Sequence, residues 1–355
     1  MEAVMNNVTI EKAKTSKINE VDFDNLSFGS IYTDHMLVCD FKNGQWQAPK
    51  VVPYQPITLD PSSKIFHYGQ SIFEGLKAYK DESGSVWLFR PLENFKRLNK
   101  SAQRMAMPEL PESYFMDGLT ALLQVDSDWI PQNAGSSLYI RPFMFASGNG
   151  FHASPADEYK FIIALAPSGS YFSGKVKVLI EKQYSRAANG GVGFAKTGGN
   201  YAGQFYPTRL AAEKGYQQVI WTDAHTHQYL EESGTMNVFF RINDTLITAP
   251  TSDRILDGVT RKSLIDLAKR EGIPVEVRRI TVDEIVEAAK KGELKEIFGS
   301  GTAAVISPVE GFSYQDTYYP LEDQKDSYAT FLKGKMLDIQ YNRSEDPFGW
   351  RYPVN

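Results

Sequence analysis

Between two strand-like runs, the stretch APSGSYFSGK at residues 166–175 crowds proline, glycine and serine together. Such a stretch extends neither a strand nor a helix, so it reads as a connection between two separately folded halves. A length of 355 residues fits about two domains at roughly 150 residues each. The expected halves are a small N-terminal α+β domain at 1–165 and a larger C-terminal α+β domain at 175–355, joined by 166–174. The first 20 residues or so are polar, charged and without period, and read as a loose leader.

Local pattern fills in both halves. Over 28–89, short β-branched and aromatic runs alternate with turn signals such as Lys42-Asn43-Gly44 and Glu82-Ser83-Gly84. In 92–105, Phe95, Leu98, Ala102 and Met105 recur at helical spacing, and 119–125 reads as a second helix. Strands are expected at 137–141, 159–166, 176–180, 218–221, 237–241 and 245–248, with Asn243-Asp244 as a hairpin turn. Helices are expected at 260–270 and 282–290, the latter opened by the capping box Thr281-x-x-Glu284 and stopped by Gly292.

Composition narrows the function classes. A net charge of -5 argues against a nucleic-acid partner, which a basic surface would serve. The longest apolar run, 161–166, falls far short of the roughly 20 residues that cross a bilayer. No apolar stretch of signal-peptide length opens the chain, so the expected compartment is the cytoplasm. A single cysteine, Cys39, excludes a disulfide framework and a cysteine-rich zinc site; its apolar surroundings predict a buried, inert thiol.

The segment NGGVGFAKTGGNY, 189–201, carries the chemistry. A phosphate-binding P-loop requires G-x-x-x-x-G-K-[ST], and Ala195 stands where its last glycine belongs. Its flanks also argue against that loop: no buried strand leads into it, and Gly198-Gly199 is expected to break a helix opening at Lys196-Thr197. A second reading is a Schiff-base lysine, which needs a partly apolar site and glycines that let backbone approach a planar cofactor. A third is a mobile surface loop with a solvated lysine. Composition alone leaves the last two open.

GGVGFAKTGGNYA resembles the active-site lysine segment of branched-chain aminotransferases, members of the fold-type IV pyridoxal-phosphate enzymes. The motifs FGSIYTDHM, FHYGQSIFEGLKAY, FRPLENFKRL, LYIRP, EESGTMNVFF, ILDGVTRKSLIDLA, EIFGSGTAAVISPV and LDIQYN follow in the family's order, spanning about 26–342. The resemblance implies a homodimeric, two-domain fold-type IV enzyme with pyridoxal 5'-phosphate. It would pass an amino group between leucine, isoleucine or valine and 2-oxoglutarate. D-amino-acid transaminase and aminodeoxychorismate lyase are the alternatives within the fold, and a non-enzymatic nucleotide-binding protein the alternative outside it.

Carried over by position, Lys196 resembles the cofactor-bearing lysine and proton shuttle, and Glu232 the partner of the pyridine nitrogen. Its neighbour Glu231 is expected to face solvent. Tyr201 resembles the partner of the phenolic oxygen. Arg97, the helix start at Val259 and Thr260, and Thr302 resemble the phosphate contacts. Thr235 and the amide of Ala303 match the α-carboxylate contacts, while Phe28, Phe73, Tyr68, Tyr139 and Tyr171 match the aromatic wall. Arg141 resembles the cation for the second carboxylate of glutamate, near a Tyr68 supplied by the other subunit. Mammalian members carry a redox cysteine pair just after Gly-Thr-Ala; here Ala304 and Ser307 occupy those positions, so no thiol regulation is expected.

Overall fold

The computed structural model describes residues 2–5, 8–133, 135–169 and 174–354. The chain divides into two compact units: Met1–Tyr171 with Ala195–Gly198 and Asp338–Asn355, and Phe172–Phe194 with Gly199–Leu337.

The first unit is built on one sheet. Its strands run in the order Glu2–Met5, Val8–Glu11, Lys50–Pro53, His35–Lys42, Tyr159–Ser168, Ser137–Ala146, Leu76–Lys80, Val86–Phe89 and Arg351–Val354. Gln45–Trp46 pairs on His35–Lys42 through the turn at Asn43-Gly44, and Ser71–Phe73 pairs on Ser137–Ala146. Helices α1 (Lys64–Tyr68), α2 (Pro91–Arg104) and α3 (Glu112–Val125) accompany it. Helix α2 turns Phe95, Leu98 and Ala102 inward as their spacing requires. Helix α3 begins seven residues before the expected 119, because Phe115 and Met116 extend the same buried stripe.

Two expectations fail in this unit. The first residues are not a loose leader: Val8 and Ile10 enter the core, and Thr9 and Ile10 pair in parallel with Lys50 and Val51. Farther on, His35 Nε2 accepts from the Ala13 amide at 2.8 Å, and Asp34 accepts from Ser16 Oγ and the Lys17 amide. The end of the chain does not belong to the second half either. Arg351–Val354 covers the edge of Val86–Phe89, with Tyr352 opposite Leu88, and Tyr341 rests edge-on against Tyr79. The expected connection at 166–174 includes residues 170–173, which lie outside the described residues.

The second unit holds a mixed sheet ordered Leu230–Ser233, Gln218–Thr222, Val176–Ile180, Val305–Tyr314, Leu294–Gly301, Met236–Ile242, Thr245–Thr248 and Val275–Val277. Thr317–Pro320 pairs on Val305–Tyr314. Its helices are α4 (Gly198–Glu213), α5 (Val259–Arg270), α6 (Val282–Lys290) and α7 (Tyr328–Gln340), α4 starting and α7 ending in residues of the first unit. Thr281 caps α6 as expected, its side chain accepting from the Glu284 amide at 3.1 Å. Asn243, with φ of 49°, makes the hairpin turn that was read from Asn243-Asp244.

Helix α4 corrects the reading of Gly198-Gly199 as a helix breaker, since a 16-residue helix opens at Gly198. First-turn N–H groups have no intrahelical acceptor to lose, so glycine costs less there than in a helix interior. Asn200, Gln204, Pro207 and Ala211 supply the buried side of the helix.

Candidate active site

Lys196 is held by its own backbone. Its amide donates to Ser101 Oγ at 2.9 Å, and its carbonyl accepts from the Phe73 amide at 2.9 Å. Next to it, Thr197 Oγ1 donates to the Ser71 carbonyl at 2.7 Å, and Thr197 bridges Ile72. Lys196 and Thr197 are thus held between the short strand Ser71–Phe73 and Ser101 of α2. The half-buried amine lies 4.7 Å from the centre of the Phe73 ring. This is the partly apolar setting expected of a nucleophilic lysine, and it excludes the solvated-loop reading.

Arg97 is buried on α2, with Nε 2.7 Å from Glu74 Oε1 and Nη2 2.8 Å from Glu74 Oε2. Glu74 is fully buried and also accepts from Asn94 Nδ2 at 2.8 Å. Burial alone would raise its carboxyl; the charge and hydrogen bonds of Arg97, with the charge of Lys196, outweigh burial and hold it below the usual carboxylate range. Sequence reasoning passed over Glu74 although it sits inside the quoted FHYGQSIFEGLKAY motif.

Phe28, Tyr139 and Arg141 come together at one cavity of about 470 Å³ within the first unit, with Tyr32, Tyr54, Ile57 and Phe143. Phe28 meets Tyr139 edge-on at 4.8 Å, and Gly75 leaves room for the Tyr139 hydroxyl, which would lie 2.3 Å from a Cβ there. Arg141 Nη2 donates to that hydroxyl at 3.0 Å, and its guanidinium carbon lies 4.8 Å from the Phe73 ring centre. Arg141 Nε is buried without a hydrogen-bond partner, and no carboxylate among the described residues pairs with the guanidinium. Tyr68 closes α1, is exposed, and donates to the Phe151 carbonyl of its own chain. Tyr171 lies outside the described residues.

The second unit carries the remaining positions. Glu232 is buried on the strand Leu230–Ser233, with Oε2 2.8 Å from Arg186 Nε. Its Oε1 accepts from Asn237 Nδ2 at 3.1 Å and from the Leu256 amide at 2.8 Å. Glu231 is not a solvent-facing residue: it is 3% exposed and paired with Arg254. The strand is covered on both faces, so alternation sends the two carboxylates into separate buried settings instead of one inside and one out. Burial pushes the Glu231 carboxyl above its usual range, Arg254 offsetting only part of the effect.

Val259 and Thr260 open α5 behind Gly258, which supplies no side-chain cap. First-turn N–H groups without a cap suit an anion. A Cβ at Gly258 would lie 2.0 Å from Asn237 Oδ1, so glycine there lets Asn237 keep its hold on Glu232. Thr302 and Ala303 form the tight turn between Leu294–Gly301 and Val305–Tyr314, and Thr235 tops the exposed turn after Glu232-Ser233-Gly234. Tyr201 is half-buried in the first turns of α4. Arg186 and Arg254 had no motif to mark them.

The class IV amino-transferase family model matches residues 71–312, a span that takes in Lys196, Glu232, α5 and the Thr302 turn. This chain belongs to the class IV aminotransferases. Within that family it is 45% identical over 355 residues to branched-chain-amino-acid transaminase 1 of Bacillus subtilis (strain 168), covering 98% of this chain and 100% of the relative. Among solved structures it is similar to the branched-chain amino acid aminotransferase from Escherichia coli, with a TM-score of 0.72, 26% identity and coverage of 91% and 99%. The branched-chain amino acid aminotransferase of Thermobaculum terrenum in its PLP form superposes with a TM-score of 0.75 at 21% identity over 91% of this chain and 98% of that one, a likeness of fold. The P-loop reading ends here: residues 189–201 lie inside the span that the aminotransferase family model matches.

Proposed function

We propose that this class IV aminotransferase moves the amino group between leucine, isoleucine or valine and 2-oxoglutarate, using pyridoxal 5'-phosphate. The observation that carries the reading is Arg141: a largely buried guanidinium without a carboxylate partner among the described residues, beside an otherwise aromatic and aliphatic cavity. Such a cavity suits a branched aliphatic side chain, and a cation at its wall suits the distal carboxylate of glutamate.

The residues fit the cofactor. A backbone-clamped lysine, a buried carboxylate with its own arginine, and an uncapped helix start answer to its aldehyde, its ring nitrogen and its phosphate. When bound, pyridoxal phosphate supplies an aldehyde carbon that takes up amines and a ring that accepts the electron pair left when the Cα–H bond breaks. Lys196 would supply the amine that holds the aldehyde and, once free, carry the Cα proton. Glu232 would hold a proton on the ring nitrogen, and Tyr201 would donate to the phenolic oxygen. Arg97, the amides of Val259 and Thr260, and Thr302 would hold the phosphate. Thr235 and the Ala303 amide would orient the α-carboxylate, while Phe28, Phe73, Tyr139 and Tyr171 exclude water around the side chain.

The working enzyme is a cytoplasmic homodimer in which the exposed Tyr68 serves the other subunit's pocket. Among the described residues, no helix is long and apolar enough to cross a membrane.

Arg141→Met tests the reading, because it keeps much of the stem's volume and removes the charge. Single-turnover spectra should show the half-reaction with 2-oxoglutarate strongly weakened and the half-reaction with leucine kept within about tenfold. Equal damage to both halves would show that Arg141 supports the fold instead, and that the acidic substrate is recognised elsewhere.

A further inference from the structure

Two glutamates stand side by side in the second unit, and each has its own arginine. Glu231 is paired with Arg254, and Glu232 with Arg186. Both arginines also grip the segment leading to the lysine: Arg254 donates from Nη1 to Asn189 Oδ1 at its far end, and Arg186 holds it nearer Lys196. Arg186 Nη2 donates to the Gly193 carbonyl at 2.9 Å and to the Arg254 carbonyl. The segment is pinned there from other directions too: the Phe194 amide donates to the Asp253 carbonyl at 3.0 Å, and the Gly190 amide to Asp253 Oδ2 at 3.0 Å. A Cβ on Gly193 would fall 2.7 Å from the Asp253 carbonyl oxygen and 2.8 Å from Arg254 Cα, so the two loops are in close contact.

We propose that Arg186 is a positioning residue for Glu232, a charge 2.8 Å from Oε2 that keeps this carboxylate ionised while the same guanidinium holds the glycine loop ahead of Lys196. The inference rests on the cofactor reading above, which gives Glu232 the ring nitrogen. The argument is one of charge in a closed space. The Arg186 and Glu232 side chains are 5% and 4% exposed. Among the groups facing Glu232 are Arg186 after the strand Val176–Ile180, Asn237 on Met236–Ile242, the Leu256 amide ahead of α5, and the charge of Arg261 on α5. Asn237 and Leu256 both donate to Oε1 and carry no net charge; Arg186 sits at Oε2. Taking away the arginine removes one of the two named cations and leaves neutral donors on Oε1 with the charge of Arg261, a change that favours uptake of a proton. A neutral Glu232 could not hold the ring nitrogen charged.

The test uses the full-length protein and three variants, Arg186→Lys, Arg186→Gln and Arg186→Met. In cofactor-free protein at neutral pH, the infrared band of a protonated carboxyl, assigned to Glu232 by its loss in Glu232→Gln, should appear in the Met and Gln variants. It should be missing from wild type and from Arg186→Lys. In the loaded enzyme, kcat should fall about thirtyfold or more in Arg186→Met and return to within about fivefold of wild type in Arg186→Lys, with the KM for leucine within about threefold throughout. Arg186→Gln keeps a donor for the Gly193 carbonyl, so it decides the matter if the Met variant does not fold. An ionised Glu232 in Arg186→Gln at neutral pH, or equal loss of kcat in the Lys and Met variants, would overturn the proposal. Wild-type protein that takes up no pyridoxal phosphate would instead overturn the cofactor reading, while the infrared result still decides what Arg186 does.

Discussion

At Lys196 the backbone and the side chain are placed separately: the amide and carbonyl fix the segment, and the amine lies over the Phe73 ring. Lys196→Ala should therefore keep the fold and abolish transamination, because alanine offers no amine. Borohydride reduction and peptide mapping of wild type should place the cofactor on Lys196; label on another lysine would refute the assignment. The adjacent glutamates should separate in turnover. Glu232→Gln should lower kcat by roughly 100- to 1,000-fold. Glu231→Gln should leave kcat within about threefold, while each change strips a buried partner from its arginine and costs about 3 kcal/mol of stability. Turnover and urea melts of both variants check the pair, and the reverse pattern would exchange their roles. Glu74 predicts a pH dependence. Its carboxyl is depressed in the folded state, so its contribution is present above the unfolded value near 4.5 and fades as pH falls through the folded one. The stability gap between wild type and Glu74→Gln should accordingly be widest above about pH 5 and shrink toward pH 3, as denaturant melts across that range would show. A gap independent of pH would mean that the Glu74–Arg97 contact acts through shape and not charge.

Among the elements, the start of α5 is the most tightly constrained, because a Cβ on Gly258 would strike Asn237, which in turn holds Glu232. Gly258→Ala should cost about 1–3 kcal/mol from overpacking and lower turnover as well. Gly203, in mid-α4 with nothing near its missing Cβ, is the contrasting site: Gly203→Ala should gain about 0.5–1 kcal/mol. Thermal melts of the two variants should move in opposite directions. Helices α2, α5 and α6 were legible because amphipathic spacing and a capping box act over neighbouring residues. Helix α4 was not, since two glycines count against a helix unless they fall in its first turn, and only the packing of Asn200 and Gln204 shows that they do. The strand Val8–Glu11 was hidden for a similar reason: four residues are too few to show alternation, and their partner comes from residues 50–51. The motifs marked candidate site residues but did not mark the groups that hold them in place. Arg186, Asn237 and Ser101 matter through partners distant in sequence, which no local pattern displays.

For the molecule as a whole, the single thiol sets its response to oxidants. Cys39 is buried, its Sγ donates to the Gln47 carbonyl at 3.0 Å, and burial with the charge of Asp40 pushes it up to about 12. Almost no thiolate forms at neutral pH, and Ala304 and Ser307 offer none. Activity should survive mild peroxide, and mass spectrometry should find Cys39 unmodified; reversible inactivation that persists in Cys39→Ser would contradict this.

The chain changes unit four times, at 171–172, 194–195, 198–199 and 337–338. The first unit thus depends on two late instalments: the four residues around Lys196 and the tail whose strand closes on residues 86–89. A ribosome must translate through residue 354 before that sheet has the strand that covers residues 86–89. A gene fusion that traded either unit at one breakpoint would separate Lys196 from Ser71, Phe73 and Ser101, or strip the tail from its sheet. In evolution such a protein is inherited whole, and its specificity must drift by point substitution and not by exchange of modules.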